Sequence, residues 1–387
     1  MILCGSGALI CIGAVLMQVN GQPAKECTAT AVEVRKRTTR LATAARLIWK
    51  QRLVKQTWLE PILANSGVVI VPSESFQVFG LSADSGKVLW TFHAESTGNE
   101  KGFVSGPVTD DEGRAFVGAK THAAYALDSR TGRLLWMFRA PSHVVGLLPY
   151  GAASILVCSA DGSVYALSRL DGSEEWRTRI RGPLRNQPVR TAGLAVLATR
   201  EGTVVGLNLT NGEIVWSREL GIGTRWGALT VGKDGAVVLT TDQNRAFILN
   251  GRNGDLLLEI TFPETAEYKL SGLIDGKPLL LGSGSMLFAG RDASLHCYER
   301  NGRLKWTSFL GLERHNVATR AGSPALLDSG HIVVAGGHEG VVIVDAFTGN
   351  VKWRGLPGTW LTTPVHVASD RQFYFGSGDT IFAFACR

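Results

Sequence analysis

One short motif recurs throughout the chain and restricts what it can fold into: a glycine followed four residues later by a tryptophan. Eight copies occur within the 387 residues, and successive copies are separated by 40 to 48 residues. Two copies are degenerate, since Ala45 replaces the first glycine and Leu258 replaces one tryptophan. Self-similarity at a period of this size is typical of repeat architectures. The tryptophans of the motif are Trp49, Trp90, Trp136, Trp176, Trp216, Trp306 and Trp353.

Each repeat has the pattern of four short strands. In one repeat, the apolar runs 154–158 and 163–167 flank an Asp-Gly pair at 161–162, which is typical of a tight hairpin. A strand that contains the motif tryptophan follows, and another strand begins near a proline. Between the second apolar run and the tryptophan strand, a polar residue four positions before the glycine is predicted to accept hydrogen bonds from the turn's amides. These residues are Asp128, Ser168, Asn208, Asn250 and Asp345.

The repeats predict an all-β fold, an eight-bladed β-propeller of four-stranded antiparallel blades. One such sheet cannot bury both of its faces, but sheets arranged radially cover one another. The repeated tryptophan is then a flat wedge between adjacent sheets, and the repeat with Leu258 should be the loosest. The last repeat lacks one strand, which residues 45–53 can supply, so an N-terminal strand should close the ring. Seven blades is the fallback if a degenerate repeat forms none.

The net charge of +7 comes from one segment. Residues 31–55 contain eight Lys and Arg against the single acid Glu33, and the rest of the chain carries 32 basic and 32 acidic residues. A protein body that binds nucleic acid needs a basic face. The propeller is therefore predicted not to bind DNA or RNA. Separately, we expect the propeller to be monomeric.

Cysteine and histidine spacing predicts neither a metal site nor a disulfide framework. None of the six cysteines is adjacent to another or forms a CxxC pair, and the eight histidines form no HxH or HExxH pattern. We therefore predict no metal and no cofactor.

Residues 1–21 have the composition of a signal peptide or a membrane anchor. Residues 2–19 carry no charge, and small residues near Gly21 suit cleavage after it. Uncut, the segment is just long enough to span a bilayer, which would attach the protein to a membrane. Export to the periplasm or outside is the main prediction; an organellar transit peptide starting at Met17 and a cytoplasmic location are the alternatives. The rest of the chain is predicted to divide into a basic linker at 22–44 and the propeller at 45–387.

The repeat pattern resembles the pyrroloquinoline-quinone-like (PQQ-like) repeat, over roughly residues 45–387. Among such propellers the chain is similar to the BamB group of outer-membrane assembly factors. That resemblance implies a non-catalytic scaffold that binds a protein partner. No lipidation box precedes Cys4 or Cys11, unlike in BamB lipoproteins. The alternative is a quinone-dependent oxidoreductase or a small-ligand-binding propeller, but the adjacent cysteines typical of the quinoprotein dehydrogenases are absent from this sequence.

Two sets of residues are predicted to bind the partner. Trp58, Trp226 and Trp360 lie outside the motif, each 7 to 10 residues after a motif tryptophan, where they would form an aromatic rim at one channel mouth. The second set lies in an arginine-rich connection at 177–190. There, the resemblance to BamB-like propellers suggests partner contacts by Ile180, Arg181, Leu184 and Arg185. The alternative for the tryptophans is that they pack under their own loops. The alternative for the connection is that it is a solvated basic loop.

Overall fold

The computed structural model describes most of the repeat region. The described residues are 44–95, 102–224, 228–241, 243–262, 276–290, 294–310, 322–328, 330–335, 340–356, 361–368 and 372–386. All of them belong to one compact unit, residues 40–387. Within these ranges every regular element is a β-strand, and none contains a helix of the length and apolarity needed to cross a membrane.

The strands form eight four-stranded antiparallel sheets arranged in a ring, so the predicted eight-bladed propeller is confirmed. Blades are numbered in chain order, and strands are given from the inner to the outer edge of each sheet. Blade 1 contains β2 (Ile62–Leu63), β3 (Val68–Pro72), β4 (Gln77–Ser82) and β5 (Val88–His93). Blade 2 contains β6 (Phe103–Thr109), β7 (Arg114–Ala119), β8 (Ala123–Asp128) and β9 (Leu134–Arg139). Blade 3 contains β10 (Val144–Tyr150), β11 (Ser154–Ser159), β12 (Ser163–Ser168) and β13 (Glu174–Arg179). Blade 4 contains β14 (Val189–Thr191), β15 (Leu194–Ala198), β16 (Thr203–Asn208) and β17 (Ile214–Glu219).

The second half of the ring repeats this arrangement. Blade 5 contains β18 (Leu229–Val231), β19 (Ala236–Thr240), β20 (Arg245–Asn250) and β21 (Leu256–Thr261). Blade 6 contains β22 (Leu279–Leu280), β23 (Met286–Ala289), β24 (Ser294–Tyr298) and β25 (Leu304–Phe309). Blade 7 contains β26 (Ala325–Asp328), β27 (His331–Ala335), β28 (Val341–Asp345) and β29 (Val351–Gly355). Blade 8 contains β30 (His366–Val367), β31 (Gln372–Ser377), β32 (Thr380–Cys386) and, as its outer strand, β1 (Ala45–Arg52).

The two middle strands of each blade are covered on both faces. In blade 4, all five residues of β15 are buried, whereas β17 at the outer edge is largely exposed and buries Trp216. A strand buried on both faces reads as a continuous apolar run rather than an alternating one. The middle strands are apolar throughout because neighbouring blades pack on both of their faces.

The hydrophobic core lies in the gaps between blades. One cluster, for example, joins Leu156 and Cys158 of blade 3 to Ala195 and Leu197 of blade 4. Among the described residues there are eight such clusters, one at each junction between successive blades. No blade therefore has a core of its own.

The motif tryptophans lie at these junctions. The indole of Trp90 packs on Gly132 in the outer turn of the next blade, and its Nε1 donates to the carbonyl of Ser129 at 3.1 Å. A Cβ added at Gly132 would lie 2.4 Å from the ring, and the glycine has φ +72°. Only glycine suits both the contact and the backbone conformation. The same pairing occurs for Trp49 with Gly86, Trp136 with Gly172, Trp176 with Gly212, Trp216 with Gly254, and Trp306 with Gly349.

The ring is closed by the N-terminal strand, as predicted from residues 45–53. Strand β1 pairs antiparallel with β32, with Trp49 opposite Ala383. The indole of Trp49 then donates to the carbonyl of Ala83 in blade 1 at 2.7 Å. The first strand of the chain thus joins the last blade to the first one.

A buried ionic network reinforces the junction of blades 2 and 3. The Asp110 carboxylate accepts hydrogen bonds from Arg114 Nε at 2.7 Å and from Arg169 Nη1 at 3.3 Å. All three residues are less than 10% exposed. An isolated buried charge is costly. Removal of one member would therefore leave the remaining buried charges without a partner and destabilise the fold.

The indole contacts predict a large stability effect. Trp136 is 7% exposed and donates to the Arg169 carbonyl at 2.9 Å. Trp136→Ala should lower the free energy of unfolding by about 3–5 kcal/mol, measured by urea denaturation. The matched control is Trp58→Ala, which truncates a tryptophan that is 50% exposed and should cost about 1 kcal/mol or less. Equal losses in the two variants would contradict the wedge role.

The turn aspartates predict a dependence of stability on pH. The Thr131 hydroxyl donates to Asp128 at 2.7 Å and, together with nearby amides, holds the pKa of that carboxyl below its ordinary value against the effect of burial. A depressed folded-state pKa contributes stability that is present above the unfolded pKa and is lost as the pH falls through the folded pKa. Asp128→Asn keeps the acceptor, as Asn208 does for the Thr210 amide, but does not titrate.

We therefore expect Asp128→Asn to match the wild type near pH 7 and to lose less stability in acid. Urea midpoints measured at pH 7 and below about pH 4 test this, since the unperturbed aspartate pKa is about 3.9. Parallel curves for the two proteins over this range would contradict it.

Candidate partner-binding surface

The candidate residues lie on one face of the ring, which we call the upper face. It carries the connections from each outer strand to the next blade's inner strand, together with the hairpins between the two middle strands. In antiparallel sheets both kinds of connection lie at the same end of the strands. The opposite, lower face carries the remaining turns, including those with the motif glycines.

Residues 180–188, here the arginine loop, connect blade 3 to blade 4 on the upper face. The Ile180 amide donates to the Gly162 carbonyl at 2.8 Å, and the Leu184 amide donates to the Ala160 carbonyl at 3.2 Å. The Pro183 carbonyl accepts from the Arg200 amide of blade 4 at 2.8 Å. Backbone hydrogen bonds to hairpins of both blades therefore fix the conformation of the loop.

Two of the predicted partner-binding residues are not accessible. Ile180 and Leu184 are each 1% exposed and belong to the core cluster between blades 3 and 4. Direct contact of these two side chains with a partner, as the sequence predicted, would need them to be exposed; instead they fill the top of the gap between the middle strands. They shape the loop and do not line its outer surface.

The arginines of the connection divide into several groups. Arg181 and Arg185 are exposed on the loop itself. Arg177 and Arg179 pair with acids of their own blade, Arg179 Nη1 lying 2.6 Å from Asp161 Oδ2. Arg190 lies beyond the loop, in strand β14. Of the five, Arg181 and Arg185 are the two that the loop presents.

The Asp161 carboxylate is stabilised in its charged form. Burial acts to raise its pKa, but hydrogen bonds from Ser159 and Ser163 and the charge of Arg179 outweigh it, so the pKa lies below its ordinary value. The hairpin beneath the arginine loop therefore keeps a negative charge at neutral pH, which is matched by Arg179.

A cavity of about 480 Å³ lies inside the ring, lined by inner strands of several blades. Arg185 borders it, as does Glu60 from the connection into blade 1. Gln187 also lines it: its Oε1 accepts from the Leu147 amide at 2.9 Å, and its Nε2 donates to Ser105 Oγ at 3.1 Å. Sequence reasoning missed this glutamine, since its partners lie 40 and 82 residues away.

Trp58 belongs to the same face. It is 50% exposed, and its indole donates to the Glu74 carboxylate of the blade 1 hairpin. The preceding Thr57 is fully buried and donates to the Pro72 carbonyl at 2.7 Å, which fixes the start of the connection. Trp226 and Trp360 lie outside the described residues, so the aromatic rim remains a prediction for them.

The described residues do not group the side chains that a metal site needs. In these parts of the chain, no three or more His, Cys, Asp and Glu side chains are grouped as they would be around a metal ion. The two buried cysteines lie in different blades, Cys158 in blade 3 and Cys297 in blade 6. Burial raises the pKa of Cys158 to about 12, so this thiol stays protonated at neutral pH.

A family model matches most of the chain. Its description is outer membrane protein assembly factor BamB, and it matches residues 25–109, 96–225, 146–290, 200–359 and 291–385. Two curated proteins of that name are similar in sequence. The one from Burkholderia pseudomallei is 26% identical over 205 residues, and the one from Yersinia pestis is 24% identical over 188 residues. The alignments span 50% and 47% of this chain and the same shares of the relatives, so about half the length of each relative is matched.

Solved structures show the same fold. BamB from Moraxella catarrhalis has a TM-score of 0.68 at 19% identity and covers 88% of this chain and 100% of its own. The designed Ika8 protein has a TM-score of 0.72 at 13% identity, with coverage of 88% and 100%. A europium-containing methanol dehydrogenase has a TM-score of 0.71 at 13% identity, with coverage of 89% and 95%. At these identities the likeness concerns the fold alone, because one propeller fold hosts unrelated functions.

Proposed function

The chain belongs to the family of the outer membrane protein assembly factor BamB, and we propose that it is a non-catalytic scaffold that binds a protein partner in outer-membrane protein assembly. The family model, which matches segments from residue 25 to residue 385, supports this proposal. So does the name of both curated relatives. We further propose that the protein is exported, with residues 1–21 as signal or anchor and 22–44 as linker.

The structure of the arginine loop is the main support for the proposed binding site. Backbone hydrogen bonds and two buried side chains fix its conformation, while Arg181 and Arg185 are exposed on it. A loop that is ordered before binding loses little conformational entropy when a partner docks. A guanidinium group binds a carboxylate through two parallel hydrogen bonds. The partner segment proposed here therefore carries Asp or Glu side chains.

Trp58 is the proposed aromatic contact on the same face. Its ring is half exposed, while the hydrogen bond to Glu74 holds its orientation. Tryptophan and arginine are enriched among residues that dominate binding energy. The connection that carries Trp58 and the arginine loop border the same central cavity, through Glu60 and Arg185. A partner segment lying over the channel mouth would thus reach both.

Site-specific photocrosslinking in the native host tests this surface. A crosslinking residue at position 181 should yield one discrete adduct, whose partner is then identified by mass spectrometry. The control position is 130, an exposed arginine in a lower-face turn of blade 2, which should not yield that adduct. The same adduct from both positions, or none from position 181, would contradict the proposal.

Charge reversal then measures the contribution of the arginine. Arg181→Glu should weaken binding of the identified partner about tenfold, which corresponds to about 1.4 kcal/mol. Arg130→Glu changes the net charge equally and should leave the affinity unchanged. Equal weakening by both variants would show a general charge effect. Alcohol oxidation by the purified protein with added pyrroloquinoline quinone and calcium would contradict the non-catalytic part of the proposal.

A further inference from the structure

A cavity of about 970 Å³ opens on the lower face of the ring, where turns of blades 3, 4 and 5 meet. The turns after β10, β14 and β18 border it, together with the outer turns of blades 4 and 5. Small-molecule sites commonly have volumes of about 300–1,000 Å³. This lower cavity is separate from the proposed partner surface, which lies on the opposite face.

The turns around the lower cavity are held together by hydrogen bonds to one carbonyl. The Gly235 carbonyl accepts from the Thr191 hydroxyl of blade 4 at 3.2 Å and from the Gly251 amide of blade 5 at 3.2 Å. A Cβ added at Gly251 would lie 2.4 Å from Thr191 Cγ2, so glycine is needed for this close approach of the two blades. The turns that border the cavity are therefore locked in place before any ligand binds.

Three cationic side chains line the lower cavity: Arg190 from β14, Lys233 from the turn after β18 and Arg252 from the outer turn of blade 5. All three are exposed, and within the described ranges none of their charged groups has an ion-pair or hydrogen-bond partner. In the outer turn of blade 6, by contrast, Arg303 Nη2 lies 2.9 Å from Glu299 Oε1. Unpaired cations around one cavity repel each other unless an anion lies between them.

The acids of the lining do not neutralise these cations. Asp234 Oδ2 lies 2.6 Å from Arg300 Nη2, so Asp234 is already paired. Glu175 accepts from the Ser154 hydroxyl through both oxygens, at 3.0 and 2.8 Å, and is the one other acid among the described residues that line the cavity. The three cations therefore leave an excess of two positive charges over Glu175. That excess is local, because outside residues 31–55 the chain has as many basic as acidic residues.

Tyr150 adds an unpartnered donor to the blade 3 side of the cavity. The residue is 9% exposed, and its hydroxyl is buried with no hydrogen-bond partner among the described residues. Burial raises the pKa of this hydroxyl, so it stays protonated at neutral pH. A buried donor without an acceptor is destabilising, and an anionic oxygen bound at this side would supply the acceptor.

We propose that the lower cavity binds a small soluble phosphate monoester. The phosphate group carries about 1.5–2 negative charges at pH 7, which matches the excess of two positive charges, whereas a carboxylate carries one. A guanidinium group binds two phosphate oxygens at once, and a lysine ammonium adds a point charge. The cavity is much larger than a phosphate group, so it has room for the attached organic group.

A soluble molecule fits this site better than a lipid headgroup in a membrane. Exposed aspartates, namely Asp84, Asp111 and Asp171, occupy other turns of the lower face. A membrane that contains anionic lipids has a negative surface potential. It would therefore repel these carboxylates, whereas a small molecule inside the cavity does not approach them.

Titration calorimetry of the full-length protein with glucose 6-phosphate tests the site. The wild type should bind this probe saturably and should not bind glucose. Arg190→Gln and Arg252→Gln should each weaken binding about threefold or more, since each removes one phosphate contact. The matched control is Arg130→Gln, because Arg130 is exposed at the same turn position of blade 2 as Arg252 in blade 5. This variant loses the same charge and should bind as the wild type does.

Tyr150→Phe tests the unpartnered donor. The variant should weaken binding about twofold or more without lowering the thermal unfolding midpoint, because the hydroxyl that it removes has no partner among the described residues. A lower midpoint with unchanged binding would contradict the role of Tyr150 in the site.

Three outcomes would overturn the site: no saturable binding of glucose 6-phosphate to the wild type, equal affinities of the wild type and both cavity variants, or equal weakening by Arg130→Gln. The second is expected if the basic segment 31–55 binds the probe. None of these measurements depends on Arg181, so failure of this proposal and failure of the scaffold proposal are distinguishable.

Vesicles of phosphatidic acid, which present the same phosphate group on a membrane, distinguish the two sources. Any binding to these vesicles should be the same for the wild type and for Arg252→Gln. Vesicle binding that is weakened by Arg252→Gln but not by Arg130→Gln would assign the site to a lipid headgroup and overturn the soluble ligand.

Discussion

The structure depends on contacts between neighbouring sheets, and the indole on glycine is the most specific of them. Each blade buries its middle strands only because another blade lies on either side, as the eight inter-blade clusters among the described residues show. The contact of Trp90 combines three features: its ring packs on the next blade, its indole donates to a turn carbonyl, and the glycine beneath it has a left-handed conformation. Closure by β1 extends the same contact to the junction of the first and last blades.

Much of this fold follows from the sequence, because its contacts are periodic. Trp136 and Gly172, for example, occur at fixed places in consecutive repeats, so one rule describes most junctions. The turn role of Asp128 was predictable for the same reason, since its hydrogen bonds to Arg130 and Thr131 are local. The closing strand could be assigned from what the last repeat lacks.

The binding surface was less predictable, because its residues are not periodic. Ile180 and Leu184 lie between arginines in a connection, a pattern typical of a solvated loop, yet the gap between blades 3 and 4 buries both. The partners of Gln187 lie 40 and 82 residues away, and Arg169 meets Asp110 across 59 residues. Such pairs are set by the ring geometry, and a single sequence carries no local signal for them.

Amide hydrogen exchange in Trp49→Ala tests the dependence of each blade on its neighbour most directly. This substitution leaves all four strands of blade 1 unchanged and removes only the indole that blade 8 places on Gly86. We predict that protection falls in blade 1, in β4 and in the outer turn that follows it, at least as much as in blade 8. Loss of protection confined to blade 8, with blade 1 exchanging as in the wild type, would contradict the claim that the blades are stabilised by one another.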